Sequence, residues 1–219
     1  MKIIERDVSQ IGPLDHATAV RLAATEYERM LALLRDLHGD DWAAPSDCAG
    51  WDVRTLVCHV VGTAETLASF PTFVRFMRRV AKRPGLFVDE MTALHVEERS
   101  SCRPAELVER LDRAVPRAVR TRARLGWPLR AIPVKFDTPA GETLRWNIGY
   151  LYDVILTRDV WMHRVDISHP LGRTLSLTAE HDGVLVADVV AEWARSHGKP
   201  FRLTLDGPAG GTFHQGRGG

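Results

Sequence analysis

Two segments of this chain decide its fold, and each places an ionisable residue where a helix is otherwise apolar. Residues 51–62 read WDVRTLVCHVVG, and residues 158–167 read RDVWMHRVDI. Around the second segment, positions at helical steps of three and four residues share one face: Ile148, Leu151, Ile155, Asp159, His163 and Asp166. Around the first, the same spacing unites Leu56, His59, Val60, Thr63 and Leu67. The pattern predicts two amphipathic helices with a carboxylate and two imidazoles on their inward faces.

Inward-facing ionisable groups need partners, because burying them unpaired costs free energy. One divalent metal ion held by His59, Asp159 and His163 would satisfy all three side chains. Three protein ligands leave one coordination position open, which suits catalysis better than a purely structural role. The pattern also fits a simpler interpretation, in which His59 is a core histidine and Asp159 pairs with His163 as a helix neighbour. Both interpretations stay open on spacing alone.

Composition narrows the class of protein without deciding its function. The chain has 219 residues, of which 45% are hydrophobic and 26% charged, so it has enough apolar residues for a core. Its net charge of +1 gives no overall electrostatic attraction to nucleic acid or membranes. Its three cysteines form no Cys-x-x-Cys pair, which favours reduced thiols and a cytoplasmic protein. No segment resembles a signal peptide or a membrane span, and we expect no membrane partner.

Helical periodicity predicts a mainly α domain over residues 1–172. Its long helices are expected at about 15–38, 52–70, 103–126 and 147–167, with Asp52 as the N-cap of the second. A shorter helix is expected at 86–98, and the alternating residues 131–146 predict a hairpin or an extended crossover. Four long helices with one long crossover predict a four-helix bundle, in which metal sites are built from facing helices.

The sequence changes character after residue 172. Residues 175–177, 201–205 and 212–215 are strand-like, and residues 178–197 predict an amphipathic helix. One helix and a few strands cannot bury a sheet face well. We therefore predict that residues 173–219 form part of a small α/β domain that is apparently incomplete.

Arginines concentrate on one part of the predicted bundle. Between residues 103 and 130 there are eight arginines, against the three acids Glu106, Glu109 and Asp112, and a second basic stretch covers residues 75–83. Such a face can attract an anion, although most basic faces are simply solvated. No aromatic residues are interleaved with the basic ones, so we expect no specific nucleic-acid binding.

The first motif, extended to residues 41–62 (DWAAPSDCAGWDVRTLVCHVVG), closely resembles a known family signature. It is similar to D-W…P-T-x-C-P-G-W-x-V-R-D-L-V-x-H-L-x-G of the mycothiol-dependent maleylpyruvate isomerase family. Residues 159–167 resemble that family's second motif, in which an acidic residue stands four positions before a histidine. The resemblance covers nearly the whole chain. It implies a DinB-like four-helix bundle followed by a small α/β domain.

The resemblance also implies a site. The family's His, Glu and His ligands correspond to His59, Asp159 and His163, so Asp159 replaces a glutamate that is one methylene longer. This implies a divalent metal, expected to be zinc, and a metal-dependent thiol S-transferase or isomerase. Its partners would be a small-molecule thiol such as mycothiol and an electrophilic substrate. The alternative is a non-catalytic metal- or ligand-binding protein with a regulatory or partner-binding role.

Two further residues near these motifs have functional and structural interpretations. Asp166, one turn beyond His163, is a candidate partner that orients an imidazole, although an aspartate near a helix end is more often a surface charge or cap. Cys48, in the connector before the second long helix, is a candidate reactive thiol. A small buried residue in a turn is the simpler interpretation of Cys48. No residue is assigned as a catalytic base.

Overall fold

The computed structural model describes residues 5–138 and 140–216. It divides into a helical unit, His16–Thr174, and an α/β unit that joins Met1–Asp15 to Leu175–Gly219. The helices are α1 (His16–Arg35), α2 (Val53–Leu67), α3 (Phe70–Val80), α4 (Phe87–Glu97), α5 (Pro104–Ala123), α6 (Trp127–Arg130), α7 (Ile148–Tyr150), α8 (Leu156–Ser168) and α9 (Asp182–His197). The strands are β1 (Glu5–Asp7), β2 (Pro133–Asp137), β3 (Thr143–Asn147), β4 (Phe201–Leu205) and β5 (Gly211–Gln215). None of the helices among these residues is long and apolar enough to cross a membrane.

The four-helix bundle predicted from the sequence is confirmed in the helical unit. Helices α2 and α5 pack closely, α1 packs on both α5 and α8, and α8 also contacts α2. Helix α2 lies at the centre, because every residue from Leu56 to Ala64 is buried. Its start is fixed by the predicted N-cap, since the Asp52 carboxylate accepts a hydrogen bond of 2.7 Å from the Thr55 amide. The expected hairpin is the antiparallel pair β2–β3.

Two parts of the helical unit differ from the sequence prediction. Arg75, Arg78 and Arg79 of the basic stretch belong to α3, which was not predicted from the sequence because the second long helix was expected to end at residue 70, before Pro71. Proline is tolerated in the first turn of a helix, where its missing N–H has no intrahelical partner, and Pro71 stands there. The helix expected at 147–167 is continuous but contains a π-helical turn, Leu151–Ile155, between α7 and α8.

As in the π-helical turn, which buries Asp153 and Val154 rather than Leu151 and Ile155, the predicted stripe is not the buried face of α8. The fully buried positions there are Thr157, Val160, Arg164, Ile167 and Ser168. The predicted inward stripe through Asp159 and His163 lies beside them and is only partly buried. These two side chains therefore lie at the flank of the bundle core, and the prediction that they occupy its inward face was wrong in this respect.

The α/β unit contains a three-stranded sheet in the order β1–β5–β4, with β1 parallel and β4 antiparallel to β5. Helix α9 covers it through a small core of Val8, Ala187, Val190, Ala194 and Phe213. Strand β1 was not predicted, and its pairing with β5 places Glu5–Asp7 in this unit. The predicted domains, 1–172 and 173–219, had assigned these residues to the bundle. Residues 175–177 form no strand, and α9 begins at Asp182 rather than near residue 178.

Candidate metal centre

His59, Asp159 and His163 lie together in the helical unit. His59 comes from α2, and the other two lie one turn apart on α8. The Nε2 atom of His59 is 3.8 Å from Asp159 Oδ2, and the Nε2 atom of His163 is 3.4 Å from Asp159 Oδ1. The two imidazole rings meet edge to face with centroids 5.4 Å apart. The structure thus brings together all three residues that the sequence motifs selected.

The spacing of these donor atoms suits a small divalent ion. One nitrogen or oxygen from each residue lies within 4.8 Å of the others. Metal–ligand bonds of about 2.0–2.1 Å in a tetrahedral site place ligand atoms roughly 3.3 Å apart, so small side-chain shifts would close the site around an ion. The other ring nitrogen of His59, Nδ1, is buried and has no hydrogen-bond partner among the described residues. No competing hydrogen bond therefore fixes the His59 ring there.

The electrostatics of the three side chains favour a charged Asp159. Burial raises the pKa of this carboxyl, but hydrogen bonds and charge attraction from His163 and His59 outweigh burial and hold the pKa well below its ordinary value of 3.8. For His163, burial lowers the pKa, but Asp159 and Asp166 outweigh it and raise the pKa above the ordinary value of 6.5. The Asp159 carboxylate thus supplies a negative charge that two imidazoles face, and a bound cation would take the place of protons there.

Asp166 orients the second imidazole. Its Oδ2 atom lies 3.0 Å from Nδ1 of His163, three residues earlier on α8. When Nδ1–H donates to this carboxylate, the lone pair of Nε2 is left facing Asp159 and His59. Carboxylates commonly hold metal-binding histidines in this way. The geometry matches the functional interpretation of Asp166.

Cys48 lies on the outer side of the same histidine. Its thiol donates to Asp166 Oδ2 at 3.3 Å, and its sulfur is 3.8 Å from Nδ1 of His163. Cys48, His163 and Asp166 therefore form a second possible ligand set. Burial, together with the hydrogen bond and charge of Asp166, raises the pKa of Cys48 to about 12. A thiol that stays protonated is a poor nucleophile and a poor metal ligand, so the set containing His59 is the better candidate.

His95, on α4, is a neighbour of the site that sequence analysis missed. It is buried, its ring centroid is 5.5 Å from that of His59, and it stacks on Phe76 with centroids 4.3 Å apart. Its Nε2 shares a hydrogen bond of 3.1 Å with Thr66 Oγ1. Burial, and to a lesser degree His59, lowers the pKa of His95 to about 2, so the ring is neutral. His95 is therefore a polar but uncharged neighbour of the site.

Gly62 is the one sequence signal that could have indicated this packing. A Cβ atom at Gly62 would lie 2.5 Å from the His95 ring, so only glycine lets α4 approach α2 so closely. Glycine inside an otherwise apolar helix often marks such a close approach. The glycine indicates that another element packs against α2 at this position, but the sequence does not identify that element or its residue His95.

Buried polar contacts hold α8 in place. Arg164 donates two hydrogen bonds, of 2.9 and 3.0 Å, to the buried carboxylate of Glu26 on α1. Arg122 on α5 donates one of 2.6 Å to the buried hydroxyl of Thr157. These contacts flank Asp159 and His163 along the helix and resist its rotation. The candidate ligands Asp159 and His163 are thus positioned by residues that lie on the buried face of α8.

Comparisons with known proteins agree with this fold. The family model described as the mycothiol maleylpyruvate isomerase N-terminal domain matches residues 23–168, more than half of the chain. Uncharacterised proteins of two Mycobacterium tuberculosis strains, CDC 1551 / Oshkosh and ATCC 25618 / H37Rv, are 27% identical over 206 residues, which cover 87% of this chain and 74% of each relative.

Solved structures extend the likeness to most of the chain. The crystal structures of the mycothiol-dependent maleylpyruvate isomerase and of a histidine-to-alanine mutant of it superpose with a TM-score of 0.58. Their sequence identities are 18% and 17%, and each covers 94% of this chain and 81% of the solved chain. At such identities the likeness establishes a shared fold. Together with the family match over the bundle, it leads to one conclusion: this chain belongs to the mycothiol maleylpyruvate isomerase N-terminal domain family.

Proposed function

We propose that the protein is a metal-dependent thiol S-transferase or isomerase. It would use a divalent metal, zinc by preference, with a low-molecular-weight thiol such as mycothiol and an electrophilic second substrate. Family membership supports the enzyme class and the thiol. The observation that carries the proposal is the convergence of His59, Asp159 and His163, with the outer nitrogen of His163 held by Asp166.

The donor set fits the chemistry that thiol activation needs. A bound divalent cation lowers the pKa of a coordinating thiol, so that the reactive thiolate exists at neutral pH. Two neutral imidazoles and one carboxylate leave such a site with a net positive charge, which favours an anionic sulfur ligand. The Asp159 and His163 side chains are 26% and 15% exposed, so a small molecule can approach from the flank of the bundle.

Cobalt substitution tests the proposal directly. The Co²⁺-loaded protein, titrated with mycothiol, is expected to gain an intense sulfur-to-metal charge-transfer band in the near ultraviolet. Asp159→Ala should not retain the ion and should show no such band. Asp47→Ala is a matched control, because this exposed aspartate pairs with His169 rather than with the site.

A cobalt spectrum and a melting temperature that mycothiol leaves unchanged would contradict thiol activation. The protein would then be better described as a non-catalytic metal- or ligand-binding protein, the alternative left open by the sequence. If Co²⁺ itself is not retained by the unaltered protein, the metal site is also refuted. The spectrum therefore separates failure of the thiol step from failure of the metal site.

The state of the cysteines supports a reducing compartment such as the cytoplasm. Cys48, Cys58 and Cys102 are all free thiols. Disulfides are rare where glutathione-like thiols keep proteins reduced, and a low-molecular-weight thiol substrate requires the same conditions. A thiol titration of the protein isolated under non-reducing conditions is expected to give three free groups.

A further inference from the structure

Arginine is the most frequent residue in the lining of a cavity on the helical unit. The volume of this cavity is about 360 Å³, at the small end of the range for ligand sites. Residues from the end of α2, from α3 and from α5 form its walls, and two glutamates and the hydroxyls of Ser69 and Thr72 also line it. The lining arginines are Arg75, Arg79, Arg99, Arg110, Arg113 and Arg117.

Some of these arginines are neutralised by carboxylates. Glu65 accepts hydrogen bonds from Arg99 at 2.5 Å and from Arg110 at 2.8 Å. Glu98 pairs with Arg79 and lies 3.4 Å from Arg99. The carboxylates of the lining are thus already occupied by three arginines. These ion pairs are a fixed part of the cavity wall and leave little negative charge to neutralise the other lining arginines.

The remaining arginines carry uncompensated charge. Arg75 and Arg117 pair with no carboxylate in the described part of the chain, and Arg113 has only an exposed contact of 3.7 Å with Glu109, which contributes little. A second cavity of about 210 Å³ adjoins the first through Ala68 and Arg117, and it adds Arg120 and Arg124. Several cations with no counter-charge among the described residues repel one another, and an anion placed between them relieves that repulsion.

We propose that this arginine-lined cavity binds a small molecule that carries two or more oxyanionic groups, either phosphates or carboxylates. Guanidinium groups donate paired hydrogen bonds to both kinds of group, and the Ser69 and Thr72 hydroxyls add neutral donors. The cavity volume suits a small ligand rather than a macromolecule. Phosphates and carboxylates share the relevant chemistry, and binding experiments distinguish them.

The site is distinct from the candidate metal centre, although it is close to it. None of the metal-ligand candidates His59, Asp159 and His163 lines the cavity. Thr66 and Phe76 do, and both also contact His95, whose ring lies between them and His59. The buried His95 ring therefore separates the two sites. Binding of the anion requires neither the metal nor the thiol.

Isothermal titration of the full chain with inorganic pyrophosphate and with citrate, at low ionic strength, tests the proposal. We expect saturable binding of at least one probe with one site per chain. Arg75→Glu and Arg117→Glu should each weaken that binding tenfold or more, because a charge-assisted hydrogen bond is lost and a repulsive charge is gained. Arg75→Gln provides a milder variant if a reversed charge disturbs folding.

Arg78→Glu is the matched control. Arg78 lies on the same helix, α3, and is exposed, but it does not line the cavity. It should change the affinity less than threefold, as expected for a general loss of positive charge. Equal weakening by Arg78→Glu and Arg75→Glu would refute a defined site, and so would the absence of saturation by either probe at millimolar concentration.

A third titration, with an oligonucleotide, tests for nucleic-acid binding. A single-stranded DNA twelve-mer that bound more tightly than both probes and was displaced by neither would replace the small-molecule site with a nucleic-acid surface. Tighter binding of pyrophosphate than of citrate would identify a phosphate site, and the reverse a carboxylate site. Both of these results support the proposal.

Discussion

Replacing Asp166 by alanine is expected to weaken metal binding without abolishing it. The Asp166 carboxylate accepts from Nδ1 of His163 at 3.0 Å, and the next neighbour of that nitrogen is the Cys48 sulfur at 3.8 Å, too far and too weak a partner to replace it. Without the carboxylate, the His163 ring loses the contact that fixes its tautomer and orientation. Loss of such a partner typically costs 10–100-fold in metal affinity, or about 1.4–2.8 kcal/mol.

Chelator competition with Zn²⁺ at constant pH measures this change. Asp166→Ala should retain the ion with a dissociation constant roughly 10–100 times that of the unaltered protein. Asp159→Ala should lose a direct ligand, and with it both stoichiometric retention and the stabilisation that the ion provides. Asp47→Ala removes an equivalent histidine–aspartate pair, with His169, at an exposed position and should leave the affinity unchanged.

An unchanged affinity in Asp166→Ala would refute the reasoning, because His163 would then need no orienting partner. Complete loss of binding in Asp166→Ala would instead make Asp166 a direct ligand, and the variant Cys48→Ala tests that second site. If the ion is held by Cys48, His163 and Asp166, Cys48→Ala should release it while Asp159→Ala retains it. If the ion is held by His59, Asp159 and His163, the two variants should behave in the opposite way.

Two predictions concern the surroundings of the site. Gly62→Ala places a Cβ atom 2.5 Å from the His95 ring, so the free energy of unfolding should fall by about 1–3 kcal/mol, seen as a lower melting temperature. An unchanged melting temperature would show that α4 can move away from α2 without cost. Glu65→Gln weakens the contacts with Arg99 and Arg110 and should cost about 1.5–3 kcal/mol at neutral pH in urea unfolding. Burial raises the pKa of Glu65, but the two arginines outweigh it and lower the pKa below 4.5. The contribution is therefore complete above pH 4.5 and is lost as the pH falls through the lowered value, so the difference between Glu65→Gln and the unaltered protein should shrink in acid.

The sequence predicted the bundle because its signals are local. Asp52 caps α2 through its own side chain, and the apolar spacing of α1 and α5 is that of helices with one buried face. The family motif added what spacing could not, namely that His59 meets a helix one hundred residues later. Periodicity alone assigns a residue to a face and does not identify the residue it contacts.

The features that escaped prediction depend on tertiary contacts. Strand β1 is only three residues long and exists because β5 pairs with it. Helix α3, whose Arg75 and Arg79 line the arginine-rich cavity, was missed because of Pro71. A proline in the first turn of a helix is well tolerated, and Pro71 stands there. His95 carries no motif of its own, and its place beside His59 follows from the packing of α4 on Gly62.

The position of the ligands at the flank of the bundle core bears on what the site can do. The inward face of α8 is closely packed, which excludes a ligand there. In the structure Thr157, Val160 and Arg164 occupy that inward face. Asp159 keeps a quarter of its side-chain surface exposed, while α2 still places the buried His59 within reach of it. A candidate donor set that is anchored on one side by the core and partly exposed on the other can be reached from solvent, which a fully buried ion pair of the same residues could not.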